Sequence, residues 1–277
     1  MNTLFENLFS SIDNNIYSVL DDITFVNKDI LNDNLMEKLL GINSYSGIIL
    51  IANSLIFGFA IFYAIRYLSS IYSNSQVEKP YQFIFKLIIV SISVNSTYFI
   101  CEQILELNFL ISGSIRSIGE NLLHMSISFE DLKLKINSLF YSGTTLNVFS
   151  FDGIIKSFTL FGLLNLLFSY SLRYIMIKVF ILITPLMLIT MLNSNTSWIF
   201  KSWLKSVLSL LFVQSLISII LLIIFSTNFI ENNIFSKLLY VGSIYALIKA
   251  NAYTSHIFGG IVTDVNTNLS NIKKIIK

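Results

Sequence analysis

The chain has 277 residues, of which 54% are hydrophobic and only 12% are charged, and its formal net charge is +2. Soluble domains carry about 25% charged residues, so this chain has too few charges to cover a water-exposed surface. The composition therefore excludes an ordinary soluble protein and predicts an all-α integral membrane protein. The near-zero net charge also gives no overall electrostatic attraction for nucleic acid. Continuous apolar runs favour membrane-spanning helices over a barrel of alternating segments.

Residues 1–46 form an acidic N-terminal segment with 7 acids and 2 bases, a net charge of −5. Apolar residues recur at three- and four-residue spacing between Phe5 and Ile23, which predicts an amphipathic helix. Its polar face is acidic, so anionic lipid is not its expected partner. Two interpretations remain open: the helix docks onto a partner subunit, or it packs against the membrane helices of its own chain.

Two membrane spans are predicted next, over residues 47–65 and 83–105, because about 20 apolar residues cross a bilayer. The second span carries hydroxyl and amide side chains between Ser91 and Thr97. Such residues let helices approach closely and form hydrogen bonds across the contact. They indicate either a helix–helix interface or, alternatively, the polar lining of a conduit.

Residues 106–153 are predicted to form an extracytoplasmic loop. From Glu102 to Asp152 there are 6 acids and 3 bases, a net charge of −3. Residues Asn108 to Gly119 are expected to form a short interfacial helix within this loop.

An apolar segment of 39 residues follows, from 154 to 192, with Arg173 and Lys178 near its middle and Pro185 near its end. Pro185 is expected to break the helix. One helix of this length would be roughly 58 Å long, which exceeds the thickness of a bilayer. A charge at membrane depth is costly unless it is paired, and it marks a functional site by default. We expect Arg173 and Lys178 to contact Glu102 and Glu106, or else to reach towards the membrane interface.

A cytoplasmic loop is predicted at residues 193–205, followed by spans at 206–230 and 235–257 and a polar tail at 259–277. The predicted loop contains aromatic and basic side chains that are typical anchors at a membrane interface. These candidate anchors are Trp198, Lys201, Trp203 and Lys205.

The orientation follows from the positive-inside rule, which keeps basic loops cytoplasmic. Basic residues at 66–86, in the loop 193–205 and in the tail predict a cytoplasmic C-terminus and an N-terminus outside. Both ends agree with this rule if residues 154–192 cross the membrane once, which gives five spans in a membrane domain of residues 47–258. The alternative is six spans, with a tight turn between Arg173 and Lys178.

The sequence lacks a phosphate-binding glycine loop, a metalloprotease motif and a set of residues that would form a nucleophilic triad. We therefore predict a protein that is not an enzyme and that has no catalytic residues, cofactor or metal site. The single cysteine, Cys101, is expected to be buried and inert.

The order of features in the second half resembles a known family. An apolar helix with embedded bases, SLRYIMIKVFILITPLMLI, is followed by a polar break and then by WIFKSWLK, which leads into a long apolar span. This order is similar to the TrbL-type polytopic inner-membrane subunits of type IV secretion systems. The likeness covers roughly residues 47–258 and is strongest to versions from conjugative elements of Gram-positive bacteria.

The resemblance implies a channel or scaffold subunit that oligomerises in the cytoplasmic membrane and works with secretion ATPases and other secretion subunits. Such a subunit helps to translocate relaxase-bound single-stranded DNA, or protein, across that membrane. The sequence is also compatible with two other functions. The chain could be a permease for small solutes, or a membrane anchor or immunity-type protein that only binds a partner.

Overall fold

The computed structural model describes residues 17–41, 46–73, 77–132, 134, 151–227 and 234–259. Within those residues every regular element is helical, as the sequence predicts. The first, α1, covers residues 17–24, and a 3₁₀ turn at Lys28–Leu31 follows it. The other main helices are α2 (Asn34–Leu40), α3 (Ile48–Ser73), α4 (Pro80–Asn95), α5 (Thr97–Leu123), α6 (Phe151–Ile189), α7 (Ser197–Ser226) and α8 (Ile234–Phe258). A short helical segment at residues 129–132 lies between α5 and α6, and a 3₁₀ turn at Thr190–Leu192 follows α6.

Three of these helices are long and apolar enough to cross a membrane, namely α3, α6 and α7. A fourth crossing is available if the bent pair of α4 and α5 counts as one span. The predicted fifth span, at 235–257, does form a helix, α8, but it does not reach the same level of apolarity. Lys237, Lys249 and Asn251 lower its hydropathy.

Helix α6 runs without interruption from Phe151 to Ile189. The tight turn between Arg173 and Lys178, which the six-span alternative required, is therefore absent. The expected break at Pro185 is also wrong, because the helix continues past this residue. The neighbouring hydroxyl of Thr184 donates to the Phe180 carbonyl at 2.8 Å. Pro185 lacks the N–H that would donate to the Ile181 carbonyl, and helices in apolar surroundings tolerate such a loss.

The second predicted span is not one straight helix. Helix α4 ends at Asn95, α5 begins at Thr97, and the two are bent by 68°. The hydroxyl of Thr97 donates to the carbonyls of Ser93 and Val94, at 3.2 and 2.7 Å. Side chains that bond to the preceding turn in this way compete with the backbone and bend helices. Helix α5 then continues to Leu123, so it absorbs the short interfacial helix predicted at 108–119.

The chain divides into two compact units, and α5, α6 and α7 each contribute to both. The first unit comprises residues 1–26, 107–175 and 208–277, and the second comprises residues 27–106 and 176–207. The core of the first unit brings together buried residues from α1, α6, α7 and α8, including Leu20, Leu166, Ile217 and Leu247. The second unit has a core of Ala52, Ile56, Val90, Val94, Ile189 and Leu192.

Candidate functional site

Arg173 lies in α6 and is completely buried in the first unit. Its Nε donates to the Leu210 carbonyl of α7 at 2.7 Å, and its Nη1 donates to the Thr24 carbonyl at 2.9 Å. The Nη2 atom has no hydrogen-bond partner among the described residues. The guanidinium is thus held by backbone oxygens, and one of its nitrogens remains available as a donor.

Thr24 is the last residue of α1, which explains why its carbonyl is available. The final carbonyls of a helix have no partner within the helix and carry its negative partial charge. A cationic side chain at this end is therefore stabilising. Arg173 acts as such a C-terminal cap and attaches the N-terminal segment to α6 and α7.

Tyr170 precedes Arg173 by one helical turn and is also fully buried. Its hydroxyl donates to the Leu247 carbonyl of α8 at 2.9 Å. Two consecutive turns of α6 therefore bind backbone carbonyls of other segments: Arg173 binds Thr24 and Leu210, and Tyr170 binds Leu247.

Lys178 forms an ion pair with Asp33 in the second unit, with Nζ and Oδ2 separated by 3.1 Å. Asp33 is also the N-cap of α2, where its Oδ1 accepts a hydrogen bond from the Leu35 N–H at 3.2 Å. This backbone hydrogen bond, followed by the interaction with Lys178, lowers the pKa of Asp33. The pair is partly exposed, so it orients the segment more than it stabilises the fold.

Glu106 of α5 forms an ion pair with Lys28 of the 3₁₀ turn, at 3.2 Å between Nζ and Oε2. The hydrogen bond to Glu106 raises the pKa of Lys28, and Glu102 adds a smaller favourable charge interaction. The hydroxyl of Tyr98 on the same helix donates to Asn32 at 3.2 Å. Within the second unit, α5 therefore binds residues 28–32 through polar contacts.

These contacts correct the predicted partners of the two bases. Arg173 binds the backbone carbonyls of Thr24 and Leu210, where the sequence predicted a carboxylate of Glu102 or Glu106. Lys178 forms its ion pair with Asp33, and Glu106 forms one with Lys28. The sequence did contain a signal for the Lys178 pair, since the acidic N-terminal segment complements a base, but it contained none for the backbone partners of Arg173.

A second polar cluster, between α5 and α7 in the first unit, was not predicted. The Asn108 amide donates to Gln214 Oε1 at 3.0 Å, and the Gln214 amide donates to Ser112 Oγ at 2.9 Å. All three residues are buried. The signal was available, because Gln214 is an amide in the middle of an uncharged apolar run.

The candidate interface anchors lie in the first turns of α7, since this helix begins at Ser197 within the predicted loop 193–205. Trp198 is 65% exposed, and Lys201 and Lys205 are also exposed. Trp203 is half-buried and directs its indole N–H towards the Phe180 carbonyl at 3.4 Å. The exposed aromatic and basic groups are suited to a membrane interface.

Cys101 is buried, as predicted, and its sulfur lies 3.8 Å from the Thr184 hydroxyl. In the described ranges, no group of three or more His, Cys, Asp or Glu side chains is arranged to hold a metal ion.

The sequence matches no protein-family model, and no curated protein and no solved structure is significantly similar to it. The likeness to TrbL-type subunits therefore depends on the order of features within the chain itself.

Proposed function

We propose that this chain is a non-enzymatic channel or scaffold subunit of a conjugative type IV secretion system in the cytoplasmic membrane. The observation that carries the proposal is a fully buried arginine within an apolar helix of 39 residues, longer than one bilayer crossing needs. A polar break and an aromatic-basic segment follow this helix, in the order that resembles the TrbL-type family.

In the proposed topology the N-terminus is outside and the C-terminus is cytoplasmic, with five crossings. Helix α8 provides the fifth crossing although it is the least apolar. Its Tyr240, Ile244 and Leu247 belong to the same buried core as residues of α6 and α7. A helix that is largely covered by protein needs less apolar surface than one that faces lipid on all sides.

The proposed partners are other secretion subunits, including the secretion ATPases, and further copies of this chain. Helix α3 supports this part of the proposal, because only 11% of its most apolar stretch is buried inside the chain. Lipid or other subunits must cover the remainder. Single-stranded DNA or protein would be the substrate in transit.

The rival interpretation as a partner-binding anchor depended on an N-terminal helix that is free to dock elsewhere. Tyr17, Leu20 and Phe25 instead belong to the chain's own core, which does not favour that interpretation. Residues 5–16 of the predicted amphipathic helix lie outside the described part of the chain.

The proposal can be tested by deleting the gene from a donor strain that carries the conjugative element and measuring transfer to a recipient. We expect transfer to fall below detection and to return when the full-length chain is supplied from a plasmid. Undiminished transfer from the deletion strain would refute the proposal. Uptake of small solutes by vesicles that contain only the purified chain would instead support a permease.

A further inference from the structure

A cavity of about 180 Å³ lies in the second unit, near the end of α3 and the start of α4. Aromatic side chains form one wall, and Tyr63 stacks on Phe83 with ring centroids 3.8 Å apart and planes 4° from parallel. The Tyr63 hydroxyl donates to the Glu78 carbonyl at 2.5 Å. This wall is therefore fixed by a stacked pair and a hydrogen bond before any ligand binds.

Hydrogen-bond donors also line the cavity, from Arg66, Asn193 and Ser194. The Asn193 Oδ1 accepts from the Asn195 N–H at 3.0 Å, which leaves its amide nitrogen to donate. Among the described residues, neither this amide nor the guanidinium of Arg66 nor the hydroxyl of Ser194 donates a side-chain hydrogen bond. Three unused donors around one cavity are the arrangement that binds an anion.

The local charge has the complementary sign. Glu78 also lines the cavity, but its carboxylate forms an ion pair with Lys86 at 2.5 Å. Arg66, Lys79 and Lys86 against the single acid Glu78 leave a net charge of +2 in this region. An anion is therefore attracted to the cavity, and the forked guanidinium of Arg66 suits phosphate oxygens in particular.

The surroundings of the cavity favour a lipid phosphate over one free in solution. Phe62, which lines the cavity, is 55% exposed, and its neighbours Ile65 and Leu68 on α3 are 63% and 59% exposed. An acyl chain could cover this apolar surface while its headgroup contacts the donors of Arg66, Asn193 and Ser194. Basic pockets between membrane helices commonly recognise anionic headgroups in this way.

We infer that this cavity binds the headgroup of an anionic phospholipid, with Arg66 contacting the phosphate and Phe62 contacting an acyl chain. The inference requires the membrane location proposed above but not the role in secretion. A lipid bound in this cavity would fix the position of the α3–α4 hairpin at one face of the bilayer.

The test uses the full-length purified chain, stripped of lipid in a neutral detergent, and native mass spectrometry to quantify binding of dioleoyl-phosphatidylglycerol. We expect this lipid to bind more tightly than dioleoyl-phosphatidylcholine. Arg66→Gln should weaken binding by about fivefold or more, since it removes charge-assisted hydrogen bonds to the phosphate. Ser194→Ala, which removes a single donor, should weaken it less.

Lys79→Gln provides the matched control, because it removes the same charge from the adjacent loop without altering the cavity lining. Its binding should remain within about twofold of wild type. Equal losses in Arg66→Gln and Lys79→Gln would overturn the inference, as would equal affinity for both lipids. Displacement of phosphatidylglycerol by millimolar inorganic phosphate would also overturn it, because the site would then bind free phosphate.

Discussion

Arg173 is a charged residue that is completely buried, although burial of a charge is energetically costly. Removing a guanidinium from water costs several kcal/mol, and each hydrogen bond to a charged group returns about 1.5–3 kcal/mol. Its two hydrogen bonds therefore roughly offset its burial and leave little net stabilisation. Stability alone does not explain this residue. Its contacts with the last carbonyl of α1 indicate that it fixes the position of the N-terminal segment.

Substitution of Arg173 by Gln should release this segment, because the shorter side chain cannot reach both Thr24 and Leu210. Thr24 is completely buried and uses only its backbone carbonyl in this contact, so Thr24→Cys is a suitable reporter. In a Cys101→Ala background, we expect Arg173→Gln to accelerate thiol labelling at position 24 at least about tenfold. Lys205→Gln removes an exposed base and should leave the labelling rate unchanged. Equal rates in both variants would contradict the tethering role.

Asp21 in α1 adds a pH dependence to the same segment. Its carboxylate accepts the Phe129 N–H at 3.0 and 3.2 Å, yet burial raises its pKa from 3.8 to about 6. The folded state therefore binds more protons than the unfolded state between these values. Stability associated with this group falls as the pH rises from about 4 to 6.

The replacement Asp21→Asn should remove this dependence. We expect the free energy of unfolding of the wild type, relative to Asp21→Asn, to decline by at most about 3 kcal/mol between pH 4 and 7. Unfolding of both proteins in the same detergent across this range provides the measurement. A difference that is constant with pH, or that grows in favour of the wild type as the pH rises, would exclude the raised pKa.

At the scale of elements, the α3–α4 hairpin shows how amide side chains connect apolar helices. Asn53 and Asn95 form two reciprocal hydrogen bonds, at 3.0 and 3.2 Å. Asn95 is the last residue of α4, directly before the bend, and its amide also donates to the Ser91 carbonyl at 2.8 Å. The sequence left two interpretations open for the polar residues at 91–97, a helix–helix interface and the lining of a conduit. For Asn95, this contact favours the interface.

A double-mutant cycle with Asn53→Ala and Asn95→Ala should yield a coupling energy of about 0.6 kcal/mol, the average for interhelical hydrogen bonds in a bilayer. Reversible unfolding in mixed micelles is the appropriate measurement. The control cycle pairs Asn53→Ala with Ser243→Ala on α8, whose hydroxyl bonds only within its own helix at 2.8 Å. Strict additivity in both cycles would show that the amide pair contributes nothing.

The helices themselves were predictable because uninterrupted apolar runs leave few other ways to satisfy the backbone in a membrane. The bend at Ser96 was not, since it depends on hydrogen bonds from the Thr97 hydroxyl to particular carbonyls. Nor was the continuity of α6 through Pro185, since proline predicts a break. The importance of Arg173 and Lys178 followed from their cost at membrane depth. The partners of Arg173 did not, because Thr24 and Leu210 bind through their backbones, and a backbone carbonyl carries no sequence signature.

At the scale of the whole molecule, the proposed topology places the turn between α6 and α7 in the cytoplasm. Ser194 and Ser202 are exposed, and the only native cysteine, Cys101, is buried. Cysteines introduced at these two serines should react with a membrane-impermeant maleimide only after the cells are permeabilised. Labelling of intact cells at either position would reverse the orientation derived from the basic residues.

We propose that the bases of α6 hold the N-terminal segment in place and that conjugative transfer requires this contact. The most direct test measures transfer frequency from donors whose only copy carries Arg173→Gln and Lys178→Gln together. Donors with Lys38→Gln and Lys79→Gln, both at exposed positions, provide a control of equal charge, and membrane levels are compared by immunoblot. We predict a loss of at least about a hundredfold in the first strain and no more than a few-fold loss in the control. Wild-type transfer by the first strain at a normal protein level would contradict the account.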